Sequence, residues 1–229
     1  MFITLEGVEG SGKSTQARLL SQNLAQRGFQ VLAVEEPGGT ALGQWVRDLV
    51  KHAASVALTP RSESLLFLAS RAQLVDEVIK PALKAGRIVI CDRFADSTFA
   101  YQCYGRGLDL ALVRQVNAFA VEGTMPDLTI LLDMPPECGL QRKRQLAVGD
   151  SATAVESGNR HQADKIDRWD RFEREALTFH QRVREGYLKL AAEEPSRWLV
   201  VDACQPTTVI GELILARVEE ALRSSSEEV

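Results

Sequence analysis

The segment Gly7-Val8-Glu9-Gly10-Ser11-Gly12-Lys13-Ser14 follows the apolar run Phe2 to Leu5 and opens a helix-compatible stretch from Thr15 to Arg27. A strand, a GxxxxGK[ST] turn and a helix, in that order, constrain this chain more than any other feature. In such a loop successive backbone N–H groups converge on phosphate oxygens, and the helix N-terminus adds partial positive charge. Lys13 is placed to neutralise the β/γ side of a nucleotide, and Ser14 to ligate Mg²⁺. A turn that merely joined a strand to a helix would require neither residue at those offsets.

Four further apolar runs of strand length occur at Val31 to Val34, Ile88 to Cys91, Leu128 to Leu132 and Trp198 to Val201, with helix-length segments between them. The runs are apolar throughout rather than alternating, which predicts parallel strands covered on both faces. The expected fold is α/β: a five-stranded parallel sheet with helices on both faces. A chain of 229 residues with 45% hydrophobic content supports one such domain. From about Leu146 to Ala163 the apolar periodicity disappears, and the stretch from about 143 to 170 reads as a mobile lid. Arg142, Lys143 and Arg144 precede the aperiodic stretch, and Arg160, Lys165, Arg168 and Arg171 lie at its far end, so the flap is bordered by cations.

The net charge of −4 argues against polymeric nucleic acid as a partner, while small anions need only a local pocket. No stretch is apolar enough for a bilayer, and the first residues lack the pattern of a secretory leader, so a cytoplasmic location is expected. Cys91, Cys103, Cys138 and Cys204 are scattered, as are His52, His161 and His180, and none forms a metal-ligand spacing.

Asp92 ends the third apolar run, at the edge of an open α/β sheet where ligands bind, and is expected to hold Mg²⁺ through water. Asp133 ends the fourth run in the same way and is a rival, although Pro135-Pro136 after it suggests a structural turn. The absence of an NKxD guanine motif, and the shortness of the chain, favour a small-molecule kinase over a GTPase or a motor ATPase. Phe67 and Arg71 are four apart in a helical pattern, so both can face one cleft. The ring can stack on a base or pack in the core; the guanidinium can meet a base carbonyl or a surface carboxylate. Arg93, Ser97 and Tyr101 repeat at the same spacing.

Glu36-Pro37-Gly38-Gly39-Thr40, Asp92-Arg93-Phe94-Ala95-Asp96-Ser97-Thr98, Ala100-Tyr101-Gln102, Gly105-Arg106-Gly107 and Asp170-Arg171-Phe172-Glu173 together resemble bacterial thymidylate kinase. The resemblance runs nearly end to end. It implies a nucleoside-monophosphate-kinase fold that transfers the γ-phosphate of ATP to dTMP, with Mg²⁺, in a homodimer. It implies ATP binding by Gly7, Val8, Glu9, Gly10, Ser11, Gly12, Lys13, Ser14 and Thr15. Arg47 and Arg93 would hold the dTMP phosphate, and Phe67, Arg71, Ser97 and Gln102 would contact thymine. Tyr101 would line the deoxyribose, Glu9 would meet its 3′-hydroxyl, and Pro37 would form the substrate-side turn after a cis Glu36-Pro37 bond. Position 10 is glycine, which in this family goes with catalytic cations delivered by the lid, making Arg144 and Arg171 candidates beside Lys13 and Arg93. Two residues depart from the pattern: Glu35, where arginine is common, and Cys103, where glycine is common.

Overall fold

The structure, a computed structural model, describes residues 1–52, 57–145, 172 and 175–227. Strands β1 (Phe2–Glu6), β2 (Val31–Glu35), β3 (Ile88–Asp92), β4 (Leu128–Asp133) and β5 (Trp198–Asp202) form one sheet in the order β2-β3-β1-β4-β5. All four pairings are parallel. From β1 the chain moves outward to β2, and from β3 it crosses back past β1 to β4. Right-handed crossovers in opposite directions put the connecting helices on opposite faces. The central strand β1 is buried at every residue, as a strand covered on both sides must be.

Each strand extends one residue beyond the apolar run read from the sequence, and each added residue is acidic: Glu6, Glu35, Asp92, Asp133 and Asp202. The hydrogen-bond ladder continues one step past the last side chain that burial demands. The C-terminal edge of the sheet therefore carries a row of carboxylates, and the fold must neutralise them there.

Helix α1 (Lys13–Gln26) begins inside the glycine-rich loop, packs against β1, β2 and β3, and meets the C-terminal helix. Its first turn holds no acidic residue and no side chain caps it, so its N–H groups are left for a ligand. After β2 come α2 (Ala41–His52) and α3 (Pro60–Leu74), the latter capped by the Thr59 hydroxyl on the Ser62 N–H. A π-helical turn, Val75–Ile79, joins α3 to α4 (Lys80–Lys84); Pro81 has no N–H to give, and the helix widens before it. A second π segment, Phe99–Gly105, continues α5 (Ala95–Thr98) beyond β3, and α6 (Leu110–Val121) follows. Helical residues 136–145 (α7) leave β4, and α8 (Leu177–Glu193) and α9 (Thr207–Glu227) flank β5. Of the lid expected at about 143 to 170, residues 143–145 form the end of α7, and residues 146–170 lie outside the described residues.

Candidate active site

The loop after β1 reaches its shape through glycine. Gly10 has φ 74°, and a Cβ there would lie 2.1 Å from the Gly139 carbonyl oxygen at the start of α7. A side chain is excluded twice over, by conformation and by space. Lys13 folds across the loop, its Nζ donating to Gly7 O at 3.0 Å and Val8 O at 2.9 Å. Burial and the neighbouring Arg93 charge pull its ammonium down to about 8. Ser14 Oγ lies 2.5 Å from Asp92 Oδ2, so the two residues expected to serve one cation are brought together. Asp133, the rival, is taken by Arg184 through a two-bond fork of 2.7 and 2.8 Å, which gives it a structural partner.

Arg93 follows β3 with φ 72°, a left-handed conformation that a non-glycine residue adopts only when its surroundings hold it there. Its own N–H bonds Leu5 O at 3.0 Å, and the next N–H, of Phe94, bonds Glu6 Oε1 at 2.8 Å. The guanidinium is thereby aimed over the loop. It donates to Gly7 O and Ser97 Oγ, both at 3.2 Å, to Tyr187 OH at 3.3 Å, to Tyr101 OH at 3.0 Å and to Glu9 Oε1 at 2.6 Å. The four-residue spacing of Arg93, Ser97 and Tyr101 thus brings all three into one cluster. Burial pushes the Glu9 carboxyl up, but the Arg93, Lys13 and Lys143 charges outweigh it and hold Glu9 at about 2.

Beneath this cluster lies Glu6, wholly buried, whose Oε2 accepts from Ser97 Oγ at 2.6 Å and Tyr187 OH at 2.8 Å. Burial first, and the nearby Asp96 second, push its carboxyl up to about 7. Glu6 and Tyr187 were not expected from the sequence. No spacing rule links two residues 181 positions apart.

Glu9, Lys13, Ser14, Thr15, Pro37, Arg47, Phe67, Arg71, Asp92, Arg93, Ser97, Tyr101 and Gln102 all line one cavity of about 370 Å³, together with Gly10 and Gly12. Val8 and Ser11 are buried behind the loop. The Glu36-Pro37 bond is cis, as the resemblance implied. Arg47 donates to Pro37 O at 2.8 Å and pairs with Glu35 at 2.9 Å, so the departure at position 35 supplies a partner for a cavity arginine.

Phe67 faces the cavity, its ring centroid 6.2 Å from that of Phe172, which also lines it. Arg71 is no surface ion pair: it is 1% exposed and bonds Glu36, Asn117, Thr98 and the Phe94 carbonyl. These bonds use Nε, both hydrogens of one terminal nitrogen and one of the other, which leaves a single N–H for a ligand. Gln102 donates from Nε2 to Glu63 Oε1 at 3.0 Å.

On the lid side, Lys143 lines the cavity whereas Arg144 is exposed and does not. Lys143 belongs to the basic run noted before the flap, but one helix position decides which of three adjacent cations turns inward, and the loop gives no periodicity to fix that phase. Arg171 lies outside the described residues.

A family model described as thymidylate kinase matches residues 5–214. The thymidylate kinase of Trichlorobacter lovleyi is 49% identical over 222 residues, covering 95% of this chain and 98% of that protein. That of Roseiflexus sp. strain RS-1 is 48% identical over 224 residues, covering 98% and 96% respectively. The crystal structure of the thymidylate kinase from Ehrlichia chaffeensis superposes with a TM-score of 0.71 at 32% identity, covering 96% of this chain and 98% of that one. With a phosphate loop, a strained arginine and an aromatic-lined cavity between them, in a chain matched along almost its whole length, this protein belongs to the thymidylate kinase family.

Proposed function

We propose that the protein transfers the γ-phosphate of ATP to dTMP, giving dTDP and ADP on the way to dTTP. The observation that carries this reading is that one cavity is lined both by residues of the phosphate loop and by Phe67, Arg71 and Gln102, with Arg93 bonded to Gly7 and Glu9 of the loop. Transfer between two anionic phosphates bound there requires that they meet in line. The acceptor oxygen is already ionised, so positioning and charge neutralisation carry the rate rather than a general base.

In this reading Gly7 to Thr15 cradle the ATP phosphates. Phosphate oxygens, being charged acceptors, displace the Gly7 and Val8 carbonyls from Lys13. Ser14 and Asp92 offer hard oxygen donors of the kind Mg²⁺ prefers and would hold it, and Mg²⁺ would supply further charge neutralisation for phosphoryl transfer. Arg93 and Arg47 hold the dTMP phosphate, and Pro37 shapes the turn beneath it. Tyr101 and Glu9 lie at the sugar, with Phe67, Arg71, Ser97 and Gln102 toward thymine. Lys143 joins Arg144 and Arg171 as a candidate cation for the transferring phosphoryl group.

We read residues 1 to 229 as a single domain whose lid occupies about 143 to 170. A homodimer is supported by an apolar surface on α2, α3 and α6, where Trp45, Leu65, Leu112 and Phe119 are 71%, 59%, 60% and 86% exposed. These helices pack side by side, α2 on α3 and α3 on α6, so the residues belong to neighbouring elements. No helix among the described residues is long and apolar enough to cross a membrane, which is compatible with a cytoplasmic enzyme.

An ADP-release assay with Mg·ATP and a panel of dTMP, dUMP, dCMP, UMP, CMP, AMP and GMP, with thymidine and a no-acceptor control, tests the assignment. The highest kcat/KM with dTMP is expected. A different best acceptor would remove the base-pocket roles, and equal ADP release without acceptor would remove the kinase reading.

A further inference from the structure

The base end of the cavity holds an amide whose orientation is set by a residue outside the cavity. Gln102 is 1% exposed and carries one donor group and one acceptor, which a base can tell apart only if the amide cannot rotate. Its Nε2 donates to Glu63 Oε1 at 3.0 Å. Glu63 is itself wholly buried in the first turn of α3, where the helix N-terminus favours a carboxylate. Both of its oxygens accept from Arg106, at 3.2 and 3.3 Å, and Arg106 is anchored again at 2.5 Å on Glu175. With an Arg106 N–H directed at each of its oxygens, Glu63 presents Gln102 with an acceptor. Gln102 must therefore point its N–H₂ group at Glu63 and leave Oε1 for the cavity that it lines.

We infer that Glu63, held by Arg106, is a specificity-determining positioning residue: by locking the Gln102 amide with its oxygen toward the base, it selects bases that present an N–H there. The inference rests on the dTMP reading above. Thymine and uracil carry a hydrogen on N3, which Gln102 Oε1 accepts, whereas cytosine presents a lone pair at N3. Facing a locked oxygen, that lone pair is repelled and left unpaired in a buried site, a mismatch that discriminates far more strongly than a missing methyl group. Arg71, with its single remaining N–H, prefers a keto oxygen at the neighbouring position for the same reason. Glu63 touches no substrate, and its effect passes entirely through Gln102.

The test is kcat/KM for dTMP, dUMP and dCMP in the wild type and in Glu63→Gln. Glutamine at 63 can donate its amide to Gln102 Oε1 while still accepting from Arg106, so Gln102 is free to turn its N–H₂ toward the base. The dTMP-to-dCMP ratio is expected to narrow by at least about tenfold, while the dTMP-to-dUMP ratio stays within about twofold because uracil has the same N3 hydrogen. Glu63→Met, which removes the acceptor with an uncharged side chain of similar length, is expected to narrow the same ratio should Glu63→Gln not fold. An unmoved dTMP-to-dCMP ratio in a folded variant overturns the inference, as does a parallel change in both ratios, which would mark a merely structural role. A wild-type enzyme that does not phosphorylate dTMP overturns the dTMP reading itself, and this inference with it.

Discussion

Glu6→Gln is expected to alter stability in a way that depends on pH, and the structure sets both the sign and the size. Glu6 is fully buried, and burial together with Asp96 raises its carboxyl from 4.5 to about 7, against the pull of Arg93. The native state therefore holds the proton more tightly than the unfolded chain does. Its stabilising contribution is complete below pH 4.5 and is lost as pH rises toward 7. Each tenfold difference in proton affinity is worth about 1.36 kcal/mol, so the interval from 4.5 to about 7 corresponds to a loss of about 3 kcal/mol. Glutamine has no such titration. Its oxygen can accept from the Phe94 N–H, and its two amide hydrogens can serve Ser97 and Tyr187, whose hydroxyls both accept as well as donate. For a domain of this size about 1 kcal/mol moves Tm by about 2–4 °C. Between pH 5 and pH 8 about 2.5 kcal/mol of this is lost, so in thermal melts over that range wild type should lose about 5–10 °C relative to Glu6→Gln. Parallel pH profiles of the two proteins would refute the argument.

Lys13 must be charged to bind phosphate, and in this structure burial and Arg93 bring it down to about 8. Stopped-assay kcat/KM for Mg·ATP should accordingly be level near pH 7 and fall as pH rises above about 8, with kcat falling only at higher pH because bound phosphates restore the charge. Asp92→Asn keeps the contact with Ser14 but removes the charge facing the cation; the Mg²⁺ concentration for half-maximal rate should rise about 10–100-fold, and an unchanged Mg²⁺ titration would exclude Asp92 from that role. Lys143→Ala and Arg171→Ala should each lower kcat by about 10²-fold or more while leaving the KM for dTMP within a few-fold. Steady-state kinetics on the two variants would remove whichever residue leaves turnover intact.

What the sequence could reveal followed the range of the interaction. The five strands announced themselves because burial on both faces demands uninterrupted apolar runs, and the phosphate loop because its glycines and lysine obey fixed offsets. The strand ends did not, since Glu6, Glu35, Asp92, Asp133 and Asp202 break the apolar run without breaking the ladder. Those same carboxylates explain why arginines distant in sequence surround the site: Arg47 meets Glu35, and Arg184 meets Asp133. Ser97 and Tyr101 were legible as a pair because one continuous helical segment carries them, whereas Arg93 joins them from the turn before that segment, through its left-handed backbone. Tyr187, arriving from α8, and Glu63, acting through Gln102, were not, because their partners are brought near only by the packing of the sheet and its helices. Lys143, which lines the cavity, was not legible either, because nothing in the aperiodic stretch after it fixes which of three adjacent cations turns inward.

In the proposed reaction one cavity carries a phosphoryl group directly from ATP to dTMP. Incubating the protein with Mg²⁺, dTMP and ATP labelled in its γ-phosphate, and then separating the products, tests this most directly. Label is expected in dTDP in equal amount to the ADP formed, with almost none in inorganic phosphate. Label accumulating as inorganic phosphate, whether or not dTMP is present, would contradict it.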